Sequence, residues 1–382
     1  MKKKLFFLIC CVSIFACTFK SPPPEINLSL YQKKILFKKV SRQFIASRDQ
    51  LINALNYQID FLIKQNPNKI VLNRGTLTCT YGDLLYTALS LMDNIDLLWE
   101  NITEFSRLFN VYVLSTDTLL TGYYEPWLEA NYVKTEEYKY PIYGLPDDLK
   151  VVDLGKFHPR FKGQRLYYRI LGDKIEPYFS REEIDNGALE GRGLEIAWVK
   201  DKVKLFFLHI QGSGRLIFPD GTVKHVLFAG KNGRQYVSLG RVLVKKGLLK
   251  AEKVNLKTIF HTLEMHPELV DDLMWANPSY VFFKLADKGP FGCISQPLTP
   301  WVSVASDNSF LPWGSIVIGE GELPLQTDVS QKFASIFLAQ DTGGAIVKDH
   351  LDLFCGSGDK AEFIAGHLKD RIKLYLILRK NE

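Results

Sequence analysis

Cysteine is scarce where a framework would need it. Six occur in 382 residues, but Cys10, Cys11 and Cys17 crowd into the amino terminus. Cys79, Cys293 and Cys355 remain, an odd set that allows at most one internal disulfide and excludes a disulfide-stapled scaffold. Excess charge is equally scarce. The formal net charge is +6, and Lys2, Lys3 and Lys4 carry three of those charges. The +3 left for the rest of the chain is too thin a field to grip a phosphate backbone, so no nucleic acid is expected as a partner. No apolar run approaches the ~20 residues needed to span a bilayer. There is no His-Glu-x-x-His pair and no Gly-x-Ser-x-Gly elbow, and Gly212-Ser213-Gly214 is too short to cradle phosphate. No metal and no cofactor are therefore expected. With 46% hydrophobic and 24% charged residues the chain is nevertheless globular rather than disordered.

What is present begins with an address. Lys2 to Lys4 precede an apolar run, Leu5 to Phe15, too short to cross a membrane, which is the anatomy of a secretory signal over residues 1–16. The run ends Ile14-Phe15-Ala16-Cys17 and so resembles the lipobox of bacterial lipoproteins, a family in which the cysteine is lipidated and becomes the new first residue. Thr18 follows rather than Asp, which in that resemblance points to the outer membrane. Residues 17–27, with Pro22, Pro23 and Pro24, read as a stiff tether carrying a periplasm-facing body.

Apolar residues recur at threes and fours from Leu28 to Gln65 and again from Asp83 to Leu108, predicting helices. Beyond Val111 short β-branched and aromatic runs alternate with turn signals and predict many strands, among them Lys204–Gln211, Thr222–Phe228, Tyr280–Lys284, Ile316–Gly319, Ala334–Gln340 and Lys373–Leu378. Helical spacing returns at Tyr236–Lys246, Asn255–Met265 and Lys360–Leu368.

Three acids stand at strand ends or turns. Asp341 opens Asp-Thr-Gly-Gly after an apolar run, Asp352 precedes a second run ending in glycines, and Asp307 lies in a turn before Pro312-Trp313-Gly314. Asp-Thr-Gly suggests an aspartic protease, but the two-carboxylate dyad of that class needs a second copy, and only one is present.

Taken together, Thr121-Gly-Tyr-Tyr-Glu-Pro126, Pro177-Tyr178 with Ser180-Arg181, Ile210-Gln-Gly-Ser-Gly-Arg215, Lys231-Asn-Gly233 with Tyr236, Asn277-Pro-Ser-Tyr-Val-Phe-Phe283, Pro297-Leu-Thr-Pro300 and Asp341-Thr-Gly-Gly-Ala-Ile346 to Asp352 resemble the membrane-bound lytic murein transglycosylase A family. The order holds from about residue 115 to 378, and the last part is similar to the module named for three aspartates, here Asp307, Asp341 and Asp352. The resemblance implies a mainly β (α+β) fold. Residues 28–125 and 260–382 would form N-terminal helices and a double-psi β-barrel, and residues 126–259 an inserted second β-domain across a groove.

The implied activity is that of a lyase, non-hydrolytic cleavage of the β-1,4 bond between N-acetylmuramic acid and N-acetylglucosamine in peptidoglycan, leaving 1,6-anhydro ends. The muramic 6-hydroxyl is a tethered nucleophile, so one carboxyl group suffices as acid and then base, whereas ordinary glycosidases need two. Asp352 takes the place of that acid and Asp341 supports it. Thr121, Tyr123, Tyr124, Gln211, Ser213, Tyr236 and Asp307 are the expected substrate contacts. Expected partners are glycan strands, the outer membrane through the lipid on Cys17, and a cell-wall synthesis or division complex. The chain departs from the family at Cys355, where an aromatic is usual, and at His350-Leu351, where an Arg-Gly-type approach is usual. A non-catalytic, expansin-like glycan-binding lipoprotein and a hydrolase giving reducing ends are the other readings.

Overall fold

The computed structural model describes residues 27–325 and 330–380. The signal segment, Cys17 and the tether as far as residue 26 lie outside the described residues. Three helices open the chain: α1 (Leu30–Gln43), α2 (Arg48–Leu62) and α3 (Tyr81–Asp93). Each starts with a reciprocal cap, Ser29 with Gln32, Ser47 with Gln50 and Thr80 with Asp83, in which the side chain three residues on answers the cap's own backbone N–H. Their buried faces, including Leu36, Phe37, Val40, Leu51 and Leu55, share one apolar cluster with Ile316, Val317, Phe333 and Phe337. Burying a side chain such as Phe37 contributes about 2–3 kcal/mol, so these helices are held chiefly by what they cover.

They cover a closed barrel of six strands: β1 (Phe109–Glu125), β2 (Ser303–Ser306), β3 (Ile316–Pro324), β4 (Ser330–Asp341), β5 (His350–Ser357) and β6 (Lys369–Arg379). Around the barrel the order is β2-β4-β3-β6-β1-β5. The β2–β4 and β1–β5 pairs are parallel and the others antiparallel. Helix α6 (Asp359–His367) joins β5 to β6 and packs beside β1.

At Glu125-Pro126-Trp127 the chain leaves the barrel for a second sheet of six strands. Its order is Val281–Ala286, Val223–Lys231, Ser213–Ile217, Trp127–Asn131, Glu195–Val199 and Tyr140–Tyr143. The strand Val281–Ala286, expected on the barrel side of the chain, hydrogen-bonds to Val223–Lys231 here. One secondary-structure expectation is corrected. Lys204–Gln211 is not a strand but most of helix α4 (Lys202–Gln211), capped by Asp201 and ended at Gly212. Leu205 and Leu208 pack on the second sheet while Phe206 and Phe207 pack on α5 (Leu256–Met265) and its neighbours. A helix buried on both sides presents the same unbroken apolar run as a buried strand.

Candidate active site

The site grows out of strand register. Thr121 on β1 pairs with Asp352 on β5, Asp352 pairs with Ala305 on β2, and Ala305 pairs with Asp341 on β4. Residues paired across neighbouring strands share a face, so the four form one row. A register shift between Val304 and Ala305 puts Asp341 rather than Gln340 into the row, as expected when a single extra residue reverses which side chains face which way. Gln340 turns inward instead. It is fully buried, donates to Ala54 O at 2.8 Å and accepts from Ser303 Oγ at 2.6 Å.

The two aspartates meet different partners. Asp341 accepts from Tyr123 OH at 2.7 Å and from the Cys293 backbone N–H at 3.1 Å. The loop supplying that N–H lies close on β4, and at Gly292 a Cβ would stand 2.2 Å from Gln340 O. Burial lifts the Asp341 pKa to about 6 against the opposing pull of the Tyr123, Thr342 and Cys293 hydrogen bonds. Asp352 has a sparser shell. Thr121 Oγ1 lies 2.6 Å from Asp352 Oδ1 and 2.9 Å from His350 Nε2. Burial raises the Asp352 pKa to about 7, the Thr121 hydrogen bond opposes the rise, and the charge of Asp341 adds to it.

A carboxyl with that value can both give and take a proton near neutrality. Thr121 has one hydroxyl proton, which it donates to the ionised carboxylate; with Asp352 protonated, it can accept from that group and donate to His350. Burial, reinforced by Arg371 and resisted by the Ala345 backbone hydrogen bond, lowers the His350 pKa. Phe354, two residues from Asp352, packs against Tyr123 with ring centroids 5.3 Å apart.

The remaining candidates part company. Tyr124, Gln211 and Tyr236 line a cavity of about 180 Å³ with Leu256, Ile259 and Gly366, and Tyr124 N–H donates to Gln211 Oε1 at 3.0 Å. The cavity includes none of the aspartates in its lining. Ser213 heads a strand of the second sheet, paired with Leu227. Asp307 ties a turn together, accepting from the Ser309 hydroxyl and N–H at 2.7 and 2.9 Å and from Lys348 N–H at 2.8 Å. Burial alone would raise its pKa, but these bonds lower it, so Asp307 holds a proton less tightly than Asp352. Cys79, Cys293 and Cys355 are free thiols. Among the described residues no group of three or more His, Cys, Asp or Glu is arranged to hold a metal.

Two polar clusters escaped the sequence. Glu125, only 1% exposed, accepts from Arg215 Nε at 3.1 Å and stands 3.0 Å from His225 Nδ1, binding the end of β1 to the second sheet. Arg181 is buried between Phe206 and Tyr280, donates to Asn277 O and Ser279 O, and touches His209. No local signal near Glu125 names partners 90 and 100 residues away.

A mixed barrel with two unequal aspartates in one row, covered by helices and joined to a second sheet, defines the class as a mixed α/β protein with an acid site at the barrel. A family described as "MltA specific insert domain" matches residues 119–284, and the "3D domain" matches residues 302–378. The membrane-bound lytic murein transglycosylase A of Vibrio cholerae is 36% identical over 259 residues, 66% of this chain and 63% of that protein. That of Escherichia coli K12 is 35% identical over 254 residues, 64% of this chain and 61% of that protein. The chain thus matches less than two thirds of the length of these curated relatives. A solved membrane-bound lytic murein transglycosylase from Agrobacterium tumefaciens superposes with a TM-score of 0.78 at 30% identity, covering 94% of this chain and 98% of that one. The chain belongs to the membrane-bound lytic murein transglycosylase A family.

Proposed function

We propose that the protein is a lytic transglycosylase that cleaves the N-acetylmuramic acid to N-acetylglucosamine bond of peptidoglycan without water, leaving a 1,6-anhydro end. The observation that carries this reading is the Asp352 carboxyl, with a pKa of about 7 and Thr121 as its hydrogen-bond partner. Protonated, it gives its proton to the leaving glycosidic oxygen. Ionised, it then takes the proton of the muramic 6-hydroxyl as that oxygen attacks its own anomeric carbon. Intramolecular attack supplies the effective concentration that a hydrolase must create by positioning a water molecule. Asp341 acts on Asp352 through its charge, and Tyr123 and the Cys293 N–H hold Asp341 in place.

The barrel, with its two parallel strand pairs, is read as double-psi, and the second sheet as the opposite wall of the substrate groove. With Val281–Ala286 in that sheet, the inserted domain would run from Pro126 to about Ala286 rather than to residue 259. Tyr124, Gln211 and Tyr236 offer a second contact region for the strand, and Ser213 a hydroxyl beside it. A lipid on Cys17 would hold the body at the outer membrane facing peptidoglycan, within reach of wall-synthesis or division complexes. Among the described residues no helix is long and apolar enough to cross a membrane.

Incubation of purified glycan strands with the protein, followed by mass spectrometry of the products, tests the chemistry. Anhydro ends, lighter by one water and free of label from heavy-oxygen solvent, are expected. Asp352→Asn should abolish them while strand binding persists. Incorporated solvent oxygen, or full turnover by Asp352→Asn, overturns the proposal.

A further inference from the structure

The excursion between Leu149 and Tyr178 builds a separate antiparallel sheet from Lys150–Asp153, Arg165–Leu171 and Lys174–Pro177. Its two faces differ. Tyr167 and Arg169 point to the body: Arg169 lies over the Phe179 ring at 3.9 Å, Lys231 lies over the Tyr167 ring at 5.8 Å, and Gly233 abuts Tyr167. Register puts Val152 opposite Leu166, Lys150 opposite Tyr168 and Ile170 opposite Ile175 on the other face. There Leu166 is 51% exposed, Ile170 62% and Ile175 71%. A soluble sheet normally turns polar residues to water on that side, and a contiguous apolar face left open marks a contact surface.

Charge identifies the occupant. From Leu154 to Gly172 the chain carries Lys156, Arg160, Lys162, Arg165 and Arg169 and no acid. Phe157, 75% exposed, projects from the same stretch. Arg165 stands opposite Asp153 and Arg169 opposite Glu176 on the body-facing side, so the bases free of a cross-strand acid are Lys156, Arg160 and Lys162 in the connection between the first two strands, with Lys150 the one charge on the outward face. Exposed aliphatic and aromatic side chains beside an excess of bases are the combination that enters the headgroup region of an anionic bilayer, where apolar groups sink and bases meet phosphate. An acidic protein surface would satisfy the bases but would leave Ile170 and Ile175 against polar groups.

We propose that this three-stranded sheet is a membrane-contact surface that rests on anionic phospholipid, independently of any lipid at Cys17. The body from Thr18 onward is the material for the test, because every residue of the four apolar clusters lies at or beyond Leu28. It should cosediment with vesicles of phosphatidylglycerol and phosphatidylethanolamine, poorly with phosphatidylcholine alone, and less as salt rises. Ile170→Ser with Ile175→Ser, and separately Arg160→Gln with Lys162→Gln, should each weaken that binding by about tenfold or more with unchanged urea midpoints and unchanged cleavage of soluble glycan. The charge pair leaves the apolar face untouched, so a folding defect in the serine pair does not remove the test. Absence of binding to the anionic vesicles, or undiminished binding by the folded charge pair, overturns the proposal. So does a loss confined to purified sacculi, which would make the sheet a handle for anionic glycan. Failure of the cleavage assay with vesicle binding intact would count against the transglycosylase reading alone.

Discussion

Replacing Asp352 by Asn should make the protein more stable at neutral and alkaline pH while it loses its proposed chemistry. The folded pKa of Asp352 is about 7 against an ordinary value of 3.8. The native state therefore binds a proton more tightly than the unfolded chain, and native stability falls as pH rises through that window. About three pKa units at 1.36 kcal/mol each make the ionised carboxylate cost about 4 kcal/mol above pH 7, an upper bound because the native state relaxes around the charge. Asparagine keeps an oxygen to accept from Thr121 and has no charge to bury. Urea unfolding of Asp352→Asn and the parent protein should thus show a gain of about 2–4 kcal/mol at pH 8. The gain should largely vanish near pH 4, where the native carboxyl is already neutral. Equal differences at both pH values, or destabilisation at pH 8, would refute the idea that burial rather than a hydrogen-bond network sets this group's proton affinity.

Thr121→Val removes the hydrogen bond that favours ionised Asp352. At about 1.5–3 kcal/mol for a bond to a charged group, the alkaline limb of the rate profile should move up by about one to two pH units, read from initial rates against pH. Gly122→Ala would put a Cβ 3.0 Å from Cys355 Sγ and 3.1 Å from Ala365 Cα. Such crowding should cost about 1–3 kcal/mol in denaturant unfolding, and Cys355→Ala should recover only the part due to the sulfur. Glu125→Ala leaves Arg215 and His225 facing a buried gap, and with Arg215 31% exposed a loss of about 2–3 kcal/mol is expected in the same assay.

How much of this was legible beforehand depended on range. The Ser-x-x-Gln boxes at Ser29 and Ser47 act within three residues, and the helices they begin could be read from spacing alone. Helix α4 leaves no helical signature because its environment is apolar on both sides, and periodicity records only the contrast between a wet and a dry face. The aspartates Asp341 and Asp352 were legible through the order of seven motifs, but the register that joins them was not. A parallel pairing of β1 with β5 brings together Thr121 and Asp352, 231 residues apart, and gives Thr121, expected as a substrate contact, a hydrogen bond to Asp352 as well. The bulge beside Ala305 left no mark in the composition, yet it decides that Asp341 and not Gln340 joins the row.

Ala305 also sets a limit on what the two acids can do together. It occupies the strand between theirs, so their α-carbons stand about two strand spacings, roughly 9–10 Å, apart. Asp352 senses the charge of Asp341 across that gap, while the hydrogen-bond partners of the two carboxyls differ, Tyr123 and the Cys293 N–H for Asp341 and Thr121 for Asp352. The pair is therefore a transmitter and a receiver, not a shared cradle, and the asymmetry of labour is built into the weave of the barrel by its smallest chiral residue.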